Sequence, residues 1–254
     1  MEIAVLVKDV PDLVEDLELD GEGRLAYDDL QYVLNEFDDH ALEEALILKA
    51  EIGARVTVVA VDTGDVDAML FSALAKGADR ALKLTGDFDR SLSSRARSHA
   101  LAGFLRSGNF DLILAGVQAI DDLEGQVPGL VAGLMGLPHA AVVSEVHATP
   151  GGSIRFRQEY AGGAMADFEA RPPVVLGVQA ARNPPRYVSV ARVRQTMKSA
   201  SLEEIPAEAT EASVRLVRLY RPTAAGRAQM IEGGVDQVAE RIVALLAEHK
   251  LLRS

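Results

Sequence analysis

Four short apolar runs, each followed by a helical pattern, constrain the fold of this chain more than any other feature. The runs cover residues 3–8, 55–61, 79–84 and 110–115, and the helical patterns cover residues 36–51, 66–76, 91–106 and 126–136. Apolar runs of this length are typical of strands that are buried on both faces, as in parallel sheets. Because successive strand–helix units wind around one sheet, the sequence predicts an α/β fold with a doubly wound, mostly parallel sheet.

The pattern changes after residue 136. Four further strands are predicted at residues 140–148, 155–160, 164–170 and 174–179, and Gly162-Gly163 forms a turn between the middle two. We expect these strands to form an antiparallel extension rather than another strand–helix unit. A small hairpin is predicted between residues 17–19 and 24–27, and a strand-like segment covers residues 214–220.

Beyond residue 183 the sequence no longer has the pattern of a compact domain. Residues 186–205 alternate basic, small and hydroxyl side chains, whereas residues 235–252 form an amphipathic helix with an apolar stripe. Such a stripe is expected to dock on an apolar surface, either of this chain or of a partner subunit. The predicted organisation is an α/β domain over residues 1–183, a linking segment over 184–232 and a C-terminal arm over 233–254.

The composition excludes several classes of function. With 26 Lys and Arg against 38 Asp and Glu, the formal net charge is −12, so no nucleic-acid function is expected. The chain has no cysteine, which excludes disulfides and thiolate metal sites, and its five histidines show no metal-ligand spacing. The apolar N-terminal run is a first strand rather than a signal peptide, and no run reaches about 18 apolar residues. We therefore expect a cytoplasmic protein that is not inserted in a membrane.

The candidate functional residues lie in three loops that follow predicted parallel strands. These loops hold residues 8–9, 62–64 and 118–126, and the helix that begins after Asn35 approaches the same edge of the sheet. Ligands bind at the carboxyl ends of parallel strands, and helix N-termini attract anions. The loops suit an adenine nucleotide, although neither common glycine-rich phosphate motif is present. Alternatively, Asp121 and Asp122 are loop and helix-capping residues, and Asn35 is only an N-cap.

Five stretches, in order along the chain, resemble the motifs of one family. They are residues 3–12 (IAVLVKDVPD), 35–45 (NEFDDHALEEA), 73–80 (ALAKGADR), 116–122 (GVQAIDD) and 183–187 (NPPRY). On these motifs the chain resembles the β subunit of electron transfer flavoproteins over nearly its whole length. The resemblance implies an adenine-nucleotide-binding α/β fold of the electron transfer flavoprotein type, with an extended C-terminal arm.

The resemblance also implies a non-enzymatic electron carrier. The chain would form a heterodimer with an α subunit, which makes most contacts to one FAD. It would pass electrons from acyl-CoA or other dehydrogenases to a membrane quinone oxidoreductase, and it would bind AMP as a structural cofactor. Carried over position by position, the AMP contacts fall on Leu6 (through its backbone), Asn35, Thr63, Ala119, Asp122, Gly125, Gln126 and Val127.

Two further positions and one segment are implied to face partners. Phe37 matches an aromatic residue near the flavin of the α subunit. Val190 matches the apolar residue by which the loop after N-x-P-R-Y anchors dehydrogenases. The C-terminal stretch matches the arm that embraces the α subunit, which favours a partner as the surface on which its apolar stripe docks.

The loop at residues 121–127 departs from the common family pattern. Many members read D-D-D-C-N-Q-T, whereas this chain reads D-D-L-E-G-Q-V, so the Asn and Thr side chains are missing. The form G/A-Q-V resembles electron-bifurcating relatives, which hold a second FAD in this site and oxidise NADH. Those relatives commonly carry Gly where Asp122 stands. AMP is therefore the expected ligand, and a second FAD is the alternative.

Overall fold

The computed structural model describes residues 1–14, 17–26, 30–122, 125–208, 217–221 and 230–252. The chain divides into two compact units, Met1–Arg218 and Leu219–Ser254. The first unit contains a large, mostly parallel sheet with apolar layers on both faces. This arrangement confirms the predicted α/β fold.

The described strands and helices are numbered in their order along the chain. The strands are β1 (Glu2–Val7), β2 (Asp9–Pro11), β3 (Tyr32–Leu34), β4 (Arg55–Val61), β5 (Arg80–Thr85), β6 (Leu112–Gly116), β7 (His139–Ala148), β8 (Ile154–Glu159), β9 (Met165–Ala170), β10 (Val174–Val178) and β11 (Glu203–Pro206). The helices are α1 (Glu36–Ile52), α2 (Asp67–Lys76), α3 (Ser94–Ser107), α4 (Val127–Met135), α5 (Val190–Ser199) and α6 (Val235–Glu248).

The main sheet has the strand order β11-β5-β4-β1-β6-β10-β7-β8-β9, and β2 and β3 form a separate antiparallel pair. The strands from β11 to β7 run parallel to their neighbours, whereas β8 and β9 are antiparallel. Every residue of β6 and β10 is buried. Burial of both faces is expected for central strands that are covered by helices on each side.

Side chains that alternate along the central strands fill two apolar layers, because successive residues of a strand point to opposite faces. Val5 of β1 packs in the layer that contains Leu42 of α1. The next residue, Leu6, packs in the opposite layer, which contains Leu101 of α3. A cavity opens at the end of β1, beside Leu6.

The predicted antiparallel extension is confirmed for β7, β8 and β9, which pair antiparallel in this order, and is wrong for β10. β10 lies between β6 and β7 and runs parallel to both. α4 connects β6 to β7, as part of the predicted fourth strand–helix unit. The apolar run VVLGV of β10 has the pattern of a central strand. Periodicity along the chain does not reveal that this strand inserts between two strands that precede it.

A second difference concerns residues 190–206, where no regular element is predicted. α5 begins after Ser189, whose hydroxyl accepts a hydrogen bond from the Arg192 N–H. β11 pairs with β5, and Arg80 donates two hydrogen bonds to the Glu203 carboxylate, at 3.0 and 2.7 Å. No residue of α5 is buried. Its apolar residues Val190, Val193 and Met197 do recur at helical spacing, but basic and hydroxyl side chains dominate the segment.

The predicted terminal elements are found in part. An antiparallel bridge between Leu19 and Leu25 supports the N-terminal hairpin, and Tyr27 lies outside the described residues. A strand-like segment is predicted at residues 214–220. Residues 214–216 lie outside the described residues, and residues 217–220 form no strand. In the second unit, α6 covers most of the predicted C-terminal helix. Within the described part of the chain, no helix combines the length and apolar character that a membrane crossing requires.

Candidate functional site

A cavity opens at the carboxyl ends of β1 and β6, beside α1, α3 and α4. Its walls are formed by Leu6, Val7, Lys8, Asn35, Asp38, Arg97, Leu101, Ala115, Gly116, Gln118, Ala119, Asp122, Val127 and Pro128. The chain leads from β1 toward β4 on one side and from β6 toward β7 on the other, so the cavity lies at the switch point of the sheet. Ligands of open α/β sheets bind at such points.

Five of the predicted AMP contacts lie together in this wall. They are Leu6, Asn35, Ala119, Asp122 and Val127. These residues come from β1, the start of α1, the loop after β6 and the first position of α4. The prediction that these parts of the chain approach one another at one edge of the sheet is therefore correct.

Asp38 joins the ends of the two central strands. Its carboxylate accepts hydrogen bonds from the backbone N–H of Lys8 at 2.9 Å and from that of Gly116 at 2.8 Å. Glycine is required at position 116, because a Cβ there would lie 2.6 Å from Asp38 Oδ1. These contacts fix the first turn of α1 against both β1 and β6.

Burial raises the pKa of the Asp38 carboxyl to about 6, although the N–H groups of Gly116 and Lys8 oppose the shift. Since this value lies above the usual 3.8, the folded protein binds the proton more tightly than the unfolded chain does. The corresponding contribution to stability is fully present below pH 3.8 and is lost as the pH rises through about 6.

We expect Asp38→Asn to lower the free energy of unfolding by about 2 kcal/mol at neutral pH, because asparagine has one acceptor oxygen and its amide nitrogen leaves one of the two buried N–H groups without an acceptor. Asparagine does not titrate. The difference between wild type and variant should therefore grow by about 1 kcal/mol between pH 8 and pH 5. Urea denaturation across this range measures both effects.

The matched control for this prediction is Glu36→Gln, which removes an exposed carboxylate from the same helical turn. It should change the free energy of unfolding by less than about 1 kcal/mol. A difference between Asp38→Asn and wild type that does not vary with pH would contradict the raised pKa of Asp38.

Asn35 links the start of α1 to the loop after β6. It occupies the N-cap position, but its side chain makes no capping hydrogen bond. Its Nδ2 instead donates to the carbonyl oxygen of Gln118 at 2.9 Å, and the residue is buried. The alternative in which Asn35 acts only as an N-cap is therefore wrong, because the side chain connects two walls of the cavity.

The two adjacent carboxylates of this loop have different partners. Asp121 forms an ion pair with Lys8, with 2.6 Å between Oδ1 and Nζ. Asp122 accepts a hydrogen bond from Ser94 Oγ at 2.8 Å, and it lines the cavity. Neither residue caps α4, whose N-cap is Gln126. The capping alternative is therefore wrong for both, while Leu123 and Glu124 lie outside the described residues.

The N-terminus of α4 forms one end of the cavity. Val127 and Pro128 contribute to the wall, and Pro128 lies in the first turn, where its missing N–H removes no helical hydrogen bond. Gly125 has a φ of +57°, and Gln126 is exposed. These two predicted contacts lie at the helix start but outside the wall. The free amides of the first turn favour an anion.

Three other predicted residues lie elsewhere. Thr63 is buried in the loop after β4, where the Arg90 guanidinium donates to the Gly64 carbonyl oxygen. Phe37 is half-buried in the first turn of α1. Val190 is the first residue of α5, and 63% of its surface is exposed.

Asp38 and Arg97 line the cavity but are not among the predicted site residues. Arg97 is buried on the face of α3 that carries Leu101 one turn further on. Burial lowers the pKa of its guanidinium, whereas nearby carboxylates, led by Asp121, raise it. The available sequence signal is an arginine on the apolar face of a helix, since arginine is rarely buried without a partner.

The chain is similar to known proteins along most of its length. Residues 23–210 match the family model of the electron transfer flavoprotein domain. The electron transfer flavoprotein subunit beta of Methylophilus methylotrophus is 34% identical over 98% of this chain and 99% of its own. That of Syntrophomonas wolfei is 32% identical over 95% of this chain and 94% of its own. The caffeyl-CoA reductase-Etf complex subunit CarD of Acetobacterium woodii is 29% identical over 99% of this chain and 100% of its own.

Proposed function

The chain belongs to the electron transfer flavoprotein family as a β subunit, and from this premise we propose how it acts. It forms a heterodimer with an α subunit, binds AMP in the cavity, and helps to enclose the FAD of the α subunit. It serves electron transfer from acyl-CoA or other dehydrogenases to a membrane quinone oxidoreductase. FAD supplies the redox chemistry, while this chain shapes one wall of the flavin site and offers a docking surface.

The observation that carries the AMP proposal is the meeting, in one cavity, of five contacts that the family resemblance implies. The apolar side chains of Leu6, Leu101 and Val127 suit a flat adenine ring. The Asp122 carboxylate is an acceptor for ribose hydroxyls, and the first amides of α4 suit a phosphate. The donor set of the wall therefore fits an adenine nucleotide.

A second FAD in the same cavity is the alternative, and it would make the complex electron-bifurcating with NADH as donor. Two observations favour it. The sequence at residues 125–127 is G-Q-V, and one relative of similar length is a subunit of a caffeyl-CoA reductase-Etf complex. Asp122 supports AMP instead, because the bifurcating pattern carries glycine there.

Counting the released nucleotides separates these proposals. The chain is co-expressed with the α subunit, the purified complex is denatured, and the supernatant is resolved by chromatography. One AMP and one FAD per heterodimer are expected, whereas two FAD and no AMP support the alternative. A stable monomer that carries neither nucleotide would contradict both.

Asp122→Ala tests the position of the nucleotide within the chain. We expect the AMP content to fall about tenfold or more relative to FAD, since a hydrogen bond to a charged group is lost. Asp87→Ala, which removes an exposed carboxylate from the loop after β5, is the control and should retain full AMP content. Full AMP content in Asp122→Ala would show that the assigned site is incorrect.

The exposed Val190 supports its proposed role as an anchor for partner dehydrogenases. We expect Val190→Ala to slow electron acceptance from a dehydrogenase several-fold, because a small apolar contact is lost on binding. FAD and AMP content should not change. Loss of FAD from this variant would instead indicate that the start of α5 supports the flavin site. Stopped-flow absorbance of the flavin measures the rate.

The remaining partner contacts are proposed for Phe37 and for the C-terminal arm. Phe37 would approach the flavin of the α subunit, and α6 would lay its apolar stripe on that subunit. Ile242, which lies on this stripe with Val238, Leu245 and Leu246, is 45% exposed. In this proposal residues 1–183 bind the nucleotide, residues 184–232 recognise dehydrogenases, and residues 233–254 hold the α subunit. A chain that ends at residue 232 should fail to co-purify with the α subunit, and stable co-purification would contradict the role of α6.

A further inference from the structure

Arg97 is a buried cation without a partner among the described residues. Only 6% of its surface is exposed, and it lines the cavity from α3. The hydrogen bonds and ion pairs of the described residues include none to its guanidinium. No fully enclosed side-chain nitrogen or oxygen lacks a partner in this part of the chain. The guanidinium nitrogens therefore reach the open space of the cavity.

The carboxylates nearest to Arg97 are already bound to other groups. Asp121 pairs with Lys8, and Asp9 pairs with Arg90. Asp38 accepts two backbone N–H groups, and Asp122 accepts from Ser94. All four attract the positive charge of Arg97 from a distance, but none forms an ion pair within 4 Å. The five N–H donors of the guanidinium remain available to a ligand.

The chemistry of these donors selects an anion with several acceptor oxygens. A buried guanidinium without a partner is costly, and a phosphate offers the matching planar, bidentate geometry. The N-terminus of α4 contributes a second positive potential at the same cavity, through Val127 and Pro128 in its wall. Two features of independent origin, a helix end and an arginine on another helix, therefore favour a phosphate at this place.

We propose that Arg97 binds the phosphate of the adenine nucleotide directly and so determines that the cavity selects nucleotides over nucleosides. The proposal rests on the proposed function of the cavity and names the residue that binds the phosphate there. Arg97 supplies the positive charge, while the apolar wall and Asn35 hold the rest of the nucleotide. The residue acts on specificity and affinity, not on redox chemistry.

The test compares two ligands that differ only in the phosphate. Affinities of AMP and adenosine are measured by calorimetry on the nucleotide-depleted heterodimer. Arg97→Gln should weaken AMP binding about 30- to 100-fold and change adenosine binding less than about threefold. Arg97→Lys keeps the positive charge but loses the planar, bidentate guanidinium, and it should weaken AMP binding about tenfold. Arg95→Gln, an exposed arginine on the same helix, is the matched control and should change neither affinity.

Two results would overturn the proposal. One is equal weakening of AMP and adenosine by Arg97→Gln, which would assign Arg97 to the shape of the cavity. The other is unchanged AMP affinity in both Arg97 variants. If wild type binds FAD in this cavity instead of AMP, the same comparison is made with ADP and adenosine, which differ only in the diphosphate. A wild-type complex that binds none of these ligands in this chain would contradict the proposed function itself, which is a separate outcome.

Discussion

Replacing Gly116 with alanine is expected to destabilise the folded protein by about 3 kcal/mol and to remove most of the bound nucleotide. An alanine Cβ would lie 2.6 Å from Asp38 Oδ1, 2.7 Å from the Asp38 backbone nitrogen and 2.7 Å from the Phe37 carbonyl carbon. Two of these atoms belong to the backbone of α1, so no side-chain rotation relieves the overlap. The first turn of α1 must move away from β6, and Asn35 moves with it.

Urea denaturation measures the stability of this variant, and chromatography of the released nucleotide measures its binding. Gly133→Ala is the control, since it adds the same methyl group to α4 at a position with no atom within 4 Å. It should stabilise the protein slightly, by up to about 1 kcal/mol, because alanine favours a helix more than glycine does. Equal stability of the two variants would contradict the close packing of α1 against β6.

The second large effect is expected at Arg182. Its Nε donates to Glu44 Oε1 at 2.7 Å, and its Nη atoms donate to Glu51 at 2.7 and 3.1 Å. The Glu44 side chain is fully buried. Arg182→Met should lower the free energy of unfolding by about 3 kcal/mol at pH 8, because it leaves a buried carboxylate without its cation.

The pH dependence of this loss has a definite sign. Burial raises the pKa of Glu44 above its usual value of 4.5, and Arg182 opposes that shift. Without Arg182 the pKa of Glu44 rises further, so protonation stabilises the folded variant more than the wild type. The loss of stability should therefore be smaller at pH 5 than at pH 8. Urea denaturation at both values checks this expectation.

Two further variants distinguish the buried pair from a general effect of charge. Arg55→Met removes an exposed arginine that lies 3.8 Å from Glu2, and it should cost less than about 1 kcal/mol. The double variant Glu44→Met with Arg182→Met replaces the pair by apolar side chains and should recover part of the lost stability. Recovery is not complete, because the backbone N–H groups of Arg182 and Val146 lose the Glu44 carboxylate as their acceptor. A double variant less stable than Arg182→Met alone would show that these N–H contacts contribute more to stability than the ion pair.

The sequence predicts those strands and helices whose apolar residues recur at strand or helix spacing. β6 is an uninterrupted apolar run, β4 is apolar apart from Arg55 and Thr57, and α1 carries Leu42 and Leu46 on its buried face. Ligands generally bind at the carboxyl ends of parallel strands. The loop after β6 is therefore identified as a site before the other segments that line the cavity are known.

Other parts depend on contacts between distant segments. Asp38 is 30 residues from Lys8 and 78 from Gly116, and no local pattern shows that its carboxylate joins them. α5 also buries none of its side chains, so the few apolar residues at helical spacing in this segment do not mark it as part of the core. Arg97 stands on the apolar face of a helical pattern, and the position of α3 beside the cavity shows that its charge is enclosed.

The place of β10 in the sheet also has consequences for biosynthesis. β6 and β7 are translated first, yet each leaves one edge unpaired until β10 arrives between them. Ribosomes add about 5–20 residues per second, so the nascent chain exposes an apolar strand edge for several seconds. Chaperone capture during synthesis is therefore expected to be strongest between the emergence of β6 and that of β10. A chain stalled before residue 174 should remain bound to a chaperone, whereas one stalled well after residue 178 should release it.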